Sequence, residues 1–319
     1  MEKVKVAFVG AGAHANRVHY PSLAEMEDVR IVGICDLNEK RLIETSEKFK
    51  IEKRYVDYKK MIEETSPDAV YIIMPPHHMF DIVVYCLNAG LNVFIEKPPG
   101  ITTTQIKSMA KLAEKKGVLT MVGFQRRFAP IMVEVKRRVE KRGEITLSQA
   151  RFFKNFTDEL PYFNGATDLL TSDGIHAVDI LRYLLGEAKK IKSIIKSIDR
   201  TYNNLFCAIM EFENGAIGIL STNWFSGKRI FSVEIHGKNI LAFVDPEKEA
   251  EIYEDGKEEG EILKTEEIAE SKDFFKFAGF YFENRHFIES IKTKKLPQTN
   301  FMDAVKTMEL IDKIYSSLF

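Results

Sequence analysis

Apolar residues in the first third of the chain fall in short continuous runs separated by amphipathic stretches. Val4 to Val9, Val29 to Cys35, Ala69 to Met74, Leu91 to Ile95 and Val118 to Val122 are such runs. Runs of this length with little alternation predict strands buried on both faces, as in a parallel sheet. Between them, Asn38 to Phe49 sets Leu42, Ile43 and Phe49 against Glu44, Glu47 and Lys48, which predicts a helix capped by Asn38. A helical pattern also runs from the Gly10-Ala11-Gly12 break to about Met26, over Tyr58 to Thr65, over Phe80 to Asn88 before Gly90, and over Thr103 to Lys116 before Gly117, with Tyr55-Val56 a short strand. Strands alternating with helices on short loops predict a doubly wound parallel sheet whose ligands sit at the carboxyl ends of the strands.

From about Gly123 the rhythm changes. Ile131 to Lys141 reads as a helix, Ile145 to Phe153 as a strand, and Gly174 to Leu185 as a helix stopped by Gly186. Strands then dominate, at Ile191 to Ile198, Leu205 to Phe212, Ile217 to Asn223, Phe231 to His236 and Ile240 to Val244, with Glu213-Asn214-Gly215 composed as a hairpin turn. Strands joined by turns this short run antiparallel, so the expectation is a second, α+β domain with a large, mainly antiparallel sheet. The acidic stretch Asp245 to Asp273 reads as an exposed excursion with irregular strands, and Phe282 to Thr293 and Met302 to Leu318 as closing amphipathic helices. The division predicted is residues 1–122 for the first domain and 123–319 for the second.

Composition supports this picture and removes other classes. At 319 residues the chain suits two domains, and 45% hydrophobic with 29% charged residues describes a soluble globular protein. A net charge of −1 gives no electrostatic reason to expect nucleic acid or an anionic membrane. The basic run from Lys136 to Arg142 reads as a solvated helix face. No apolar run reaches the ~20 residues of a membrane helix, and the first strand begins too close to Met1 for a signal peptide. Cys35, Cys86 and Cys207 have neither metal nor disulfide spacing, so reduced thiols in a cytoplasmic protein are expected, and no metal.

The first candidate for chemistry is the turn after Val9. Gly10, Gly12 and Ala15 fit G-x-G-x-x-G/A between a strand and a helix, and Asp36 ends the second strand about 20 residues on. Gly10 lets the chain turn sharply, Gly12 lets a pyrophosphate approach the backbone, and Ala15 lets the helix lie close to the strand. Asp36 is placed to accept hydrogen bonds from the ribose hydroxyls. The first domain therefore reads as a dinucleotide-binding Rossmann sheet, and Asp36 favours NAD; Arg41, one helical turn on, leaves NADP open.

Two further stretches carry ionisable groups where the reacting end of such a cofactor would lie. The fourth long apolar run leads into Glu96-Lys97-Pro98-Pro99, placing a lysine at the carboxyl edge of a central strand, where it can polarise a hydroxyl or carbonyl. In Thr171-Ser172-Asp173-Gly174-Ile175-His176-Ala177-Val178-Asp179, Ser172 or Asp173 is a plausible N-cap. That would put His176 in a first helical turn, where the dipole favours a neutral imidazole able to take a proton, with Asp179 three residues on to orient the ring. Alone, each has an ordinary alternative, a surface lysine and a packed histidine. Arg127 and Tyr162 could meet substrate, or be a helix-start ion pair and a loop aromatic; His19, His236 and His286 fit structural positions, and Trp224 with Phe225 fits strand packing as well as a sugar platform.

On these residues the chain resembles the Gfo/Idh/MocA oxidoreductases. The resemblance runs nearly end to end, through Gly10 to Ala15 with Asp36, Met74-Pro75-Pro76-His77, Asn88-Ala89-Gly90, Glu96-Lys97-Pro98, Gly123 to Phe128, Gly174 to Asp179 with Leu181 to Gly186, and the Phe212 to Leu220 and Ile235-His236-Gly237 strands. It implies a nicotinamide cofactor held by Gly10, Gly12, Ala13, His14, Asp36, Met74, Pro75, His77, Glu96 and Lys97. It also implies hydride transfer on a sugar, inositol or related polyol. In such proteins Lys97 and His176 would converge on the substrate across the domain interface, His176 as general base and Lys97 lowering the hydroxyl pKa, and the Lys97–Pro98 bond is often cis. Arg127, Tyr162, Asp173 and Asp179 are the candidate substrate contacts.

The chain departs from the family at two points. Ser172 stands where an aspartate usually precedes the histidine by four residues, and Met79 where many relatives carry a histidine. Asp173 is therefore given no catalytic role. The function expected is an NAD(P)-dependent dehydrogenase or reductase acting on CH–OH groups, assembled as a homodimer or homotetramer. Two alternatives stay open: a non-catalytic dinucleotide or sugar sensor like the galactose-regulon repressor of this superfamily, and an imine or biliverdin-type reductase, which would not require His176.

Overall fold

Six strands of the first unit pair in parallel: β1 (Val4–Val9), β2 (Val29–Cys35), β3 (Arg54–Tyr55), β4 (Ala69–Ile72), β5 (Asn92–Glu96) and β6 (Thr120–Gly123). Their order in the computed structural model, which describes residues 3–318, is β3-β2-β1-β4-β5-β6. This is the doubly wound arrangement, with its order reversing between β1 and β4. Val9 pairs with Cys35 and with Ile72, and Ile95 with Ile72 and Val122. The carboxyl ends of β1, β2, β4 and β5 therefore lie along one edge, which gathers Gly10, Asp36, Met74 and Lys97 there.

The helices α1 (Tyr20–Ala24), α2 (Glu39–Lys48), α3 (Tyr58–Thr65), α4 (Pro76–Asn88) and α5 (Thr103–Lys116) connect these strands. Asn38 caps α2 by accepting from Arg41 N at 3.0 Å, and Gly117 ends α5 at φ +65°. Two expectations are corrected. α4 starts at Pro76 and not Phe80, because proline at the first helical position gives up no hydrogen bond. The stretch after Gly12 is not a single α-helix: residues Ala15–His19 form a π-helical turn before α1.

The first unit comprises residues 1–124 together with 274–276 and 280–305. A cut at 122/123 would give those later segments to the second domain. They hold the first unit by specific bonds: Thr299 O accepts from Val122 N at 2.9 Å, and Arg285 pairs with Asp28 at 2.7 and 2.9 Å.

The second unit, residues 125–273, 277–279 and 306–319, contains α6 (Pro130–Arg142), β7 (Leu147–Asn155), α7 (Ile175–Leu185), β8 (Ala188–Lys196), β9 (Leu205–Phe212), β10 (Ile217–Asn223), β11 (Phe225–Gly237), β12 (Ile240–Asp245), β13 (Glu249–Glu254) and β14 (Glu261–Lys264). The sheet order is β14-β13-β12-β11-β7-β10-β9-β8, antiparallel except for β7 with β10. Ala150 and Phe152 on β7 are buried and share a face with Lys154, and α7 packs on β7 and β10. On β8 and β9 the opposite set includes exposed Ile194 and Ile209. The acidic excursion is regular: buried Ala250 and Ile252 alternate with Glu249 and Glu251 in β13, and buried Leu263 lies between exposed Ile262 and Lys264 in β14, so the period of two outweighs the charge. Among the described residues no helix is long and apolar enough to cross a membrane. Cys35, Cys86 and Cys207 are free thiols.

Candidate active site

Gly10 takes φ +113°, and a Cβ there would meet Ile73 O at 2.1 Å, so β1 can turn against the β4 strand end only without a side chain. At Gly12 a Cβ would meet nothing within 4 Å, which leaves the open backbone approach a pyrophosphate needs. Asp36 fixes this loop: Oδ2 accepts from Ala11 N at 2.7 Å and Oδ1 from Asn38 N at 2.8 Å. Arg41, the cation that left NADP open, stands 3.5 Å from the same carboxylate. Pro75, in extended conformation, caps α4, and His77 lies in its first turn. The loop, the acid and the α4 start fit a dinucleotide.

Glu96 is the hub of this edge. Its Oε1 hydrogen-bonds His14 Nε2 at 3.0 Å and buried His19 Nε2 at 2.8 Å, and its Oε2 accepts from Lys97 N at 3.0 Å. Gly123 makes room for it, since a Cβ there would stand 2.9 Å from Oε1. The π-helical turn explains why both histidines reach one carboxylate, because i→i+5 closure brings residues five apart onto one face. His14 thus contributes its ring as well as its backbone, and His19 is more than packing. The Lys97–Pro98 bond is cis.

Burial pushes the Glu96 carboxyl up, but His14 and His19 outweigh it and hold it well below the usual range. Burial lowers His19 against the pull of Glu96. Glu283 behaves oppositely: burial first, then the Glu96 charge, raises its carboxyl far above the usual range, and neither oxygen has a hydrogen-bond partner among the described residues. The ligand atoms of His14, His19 and Glu96 lie within 4.8 Å of one another, a grouping that spacing alone did not signal.

In the second unit the site is built on the Phe152 ring. The His176 ring lies 6.5 Å from it, Lys154 Nζ 5.2 Å, Arg229 Cζ 5.7 Å and Arg126 Cζ 5.9 Å. Lys154 Nζ bonds Asp173 Oδ2 and lies 3.1 Å from the Tyr162 hydroxyl, which donates to Asp173 Oδ2 at 2.5 Å. Burial, then the Asp173 charge, raises the Tyr162 hydroxyl far above its usual range. Glu247 accepts from Arg229 at 2.8 Å through each oxygen and from Arg126 at 3.3 Å. Tyr162 and Asp173, both candidate substrate contacts, are brought together through their own hydrogen bond, whereas Lys154, Arg126, Arg229 and Glu247 were not among the candidates. The alternation Ala150, Phe152, Lys154 on one strand was the available signal.

Two expectations around His176 are corrected. Neither Ser172 nor Asp173 caps the helix: Asp168 does, accepting from Thr171 N at 2.9 Å, and a π-helical turn over Leu170–Gly174 runs unbroken into α7. His176 therefore sits well inside a helical segment, away from the positive end of the dipole. Asp179 is engaged elsewhere. It receives Arg127 at 2.7 and 2.5 Å and Thr307 Oγ1 at 2.9 Å, all nearly inaccessible to water, so the ion-pair reading of Arg127 describes the geometry. Trp224 is packed away at 1% exposure, while Phe225 is exposed.

The model of an oxidoreductase family with an NAD-binding Rossmann fold matches residues 4–124, and the model of its C-terminal α/β domain matches residues 161–319. The chain belongs to the Gfo/Idh/MocA oxidoreductase family. It is accordingly an NAD-dependent oxidoreductase with a nucleotide-binding first unit. Among its relatives in the family are the D-glucoside 3-dehydrogenase of Escherichia coli, 27% identical over 98% of this chain and 95% of that protein, and the myo-inositol 2-dehydrogenase of Thermotoga maritima, 24% identical over 78% and 77%. An oxidoreductase from Agrobacterium radiobacter, solved with NAD+, L-tartaric acid and magnesium, superposes with a TM-score of 0.85 over 99% of this chain and 96% of that one at 19% identity, which shows the shared fold.

Proposed function

We propose that the protein moves hydride between NAD and a secondary alcohol or ketone of a sugar, inositol or sugar derivative, with Lys97 and His176 handling the proton. The observation that carries this reading is Glu96: one carboxylate bonds His14 of the dinucleotide loop and the backbone N–H of Lys97, so the lysine is indexed to the cofactor cradle. The printed activities of the relatives, a glucoside and an inositol dehydrogenase, support the substrate class.

In the oxidising direction His176 takes the hydroxyl proton while the C–H pair leaves the same carbon, giving a ketone. The Lys97 ammonium donates to the substrate oxygen and stabilises the charge that develops there. The nicotinamide, when bound, supplies the hydride acceptor. Ser172 offers no carboxylate to steer His176, and Asp173 and Asp179 are held by Lys154 and Tyr162 and by Arg127. On the same reading the protein works as a homodimer or homotetramer joined through the face that exposes Ile194 and Ile209, which light scattering of the purified protein checks.

Lys97→Ala and His176→Ala test the mechanism against a panel of sugars, inositols and sugar derivatives with NAD and NADP in parallel. Each should lower kcat by roughly 10²–10⁴-fold, far more than it weakens NADH binding in a fluorescence titration. Unchanged turnover in both variants would sink the assignment.

A further inference from the structure

Around Phe152 the second unit places three cations, Arg126, Lys154 and Arg229, bonded to two carboxylates, Asp173 and Glu247, while a third carboxylate near Arg229, Asp245, is paired with Lys248. Arg229 is exposed, but the other two cations are not on open surface. The Arg126 side chain is 6% exposed, and Lys154 is 24% exposed. Burial, with the neighbouring Arg229 charge adding to it, lowers the Arg126 guanidinium to about 10 against the opposing pull of Glu247. Its Nε is buried and has no hydrogen-bond partner among the described residues.

Packing alone does not account for this set. Like charges gathered in a partly desolvated place repel, and a buried donor without an acceptor costs free energy. A neutral polyol would leave the charge surplus untouched, and its hydroxyls both donate and accept. A group that only accepts, and that carries negative charge, answers the charge surplus. The part-exposed members, Lys154 and Arg229, stand where such a group could arrive, on the same ring that His176 flanks.

We infer that the substrate bears an anionic group, a carboxylate or a phosphate, received by Lys154 and Arg229 beside Phe152. This rests on the dehydrogenase reading only in taking the bound molecule to be the one oxidised; the anion site is tested by binding as well.

The test is calorimetric titration of the purified protein with NADH present, using D-glucuronate, D-glucose 6-phosphate and D-glucose, and D-galacturonate with D-galactose, followed by the same compounds in an NAD reduction assay. At least one anionic member should bind about tenfold or more tightly than its neutral partner at low salt, with the ratio shrinking as salt is raised. The uronate and phosphate arms decide which anion is used. Lys154→Met and Arg229→Gln should each bring the anionic-to-neutral ratio to within about twofold of unity, and Lys154→Arg should restore it. Equal binding of the pairs, a preference that survives both variants, or no binding by any anionic member overturns the inference. A sugar acid that binds without hydride transfer defeats the dehydrogenase reading and leaves the anion site standing; neutral sugars oxidised without any anionic preference do the reverse.

Discussion

Asp179→Asn separates two roles for the Arg127–Asp179 pair, support of the second unit or contact with substrate. Both side chains are at most 4% exposed, and they are joined by two N–H···O bonds with Thr307 as a third partner on Asp179. Removing one charge leaves a buried guanidinium without its counter-ion, which costs about 3–5 kcal/mol. For a unit of about 170 residues each kcal/mol moves Tm by about 2–4 °C, so the expected drop is on the order of 6–20 °C. Differential scanning calorimetry reads it directly, and a cycle with Arg127→Met and Arg127→Met/Asp179→Leu completes it. The double variant should recover much of the loss, because a buried ion pair replaced whole by apolar groups is often nearly neutral. The reasoning is refuted if Asp179→Asn stays within about 1 kcal/mol of the parent while the substrate KM rises, for then the pair serves the substrate.

Gly10→Ala and Gly12→Ala should behave differently. The first forces a Cβ into Ile73 O at positive φ and should lower stability by about 2 kcal/mol or more, whereas the second should leave Tm nearly unchanged and weaken NADH binding by about tenfold or more; thermal melts and fluorescence titration together check both, and equal effects on Tm contradict the account. Glu283 gives a pH test. Its folded carboxyl titrates far above the ordinary 4.5, so the folded state holds a proton that the unfolded state releases, and stability falls as pH rises above about 4.5 until the folded group ionises. Glu283→Gln removes that slope, so the variant should gain on the parent in melts between pH 5 and 8, and parallel curves count against a raised Glu283.

Much of the first unit was legible because its apolar runs, caps and glycines act locally. The strand bounds Val4–Val9 and Val29–Cys35, the Asn38 cap and the Gly10 turn are each marked by residue types within a few positions, even where, as at Gly10, the contact that demands the glycine is the distant Ile73 O. What failed was what depends on distant chain. The segment 280–305 joins the first unit through Arg285–Asp28 and Thr299–Val122, bonds no periodicity announces. Lys154 and Arg229 escaped notice because each is an ordinary strand cation until the β7–β11 ladder and the Phe152 ring bring them together. Asp179 was assigned by helix spacing to His176, when a partner 52 residues away along the chain offered two hydrogen bonds and a full charge.

The misreadings nearest the chemistry share one cause. At 3.6 residues per turn His14 and His19 lie about 140° apart and look unrelated. The π-helical turn Ala15–His19 rotates them onto one side, where Glu96 takes both and in turn holds Lys97 N. The π-helical turn Leu170–Gly174 likewise breaks the 3.6-residue period just ahead of His176. It lets the helix begin at Asp168, and it makes Asp173, bonded to Lys154 and Tyr162, no simple one-residue offset of Ser172. A π-helical turn costs helix regularity and survives where the side chains it aligns are needed. Both proposed catalytic residues, Lys97 through Glu96 and His176 directly, are thus set by a turn whose period the standard helical template does not contain.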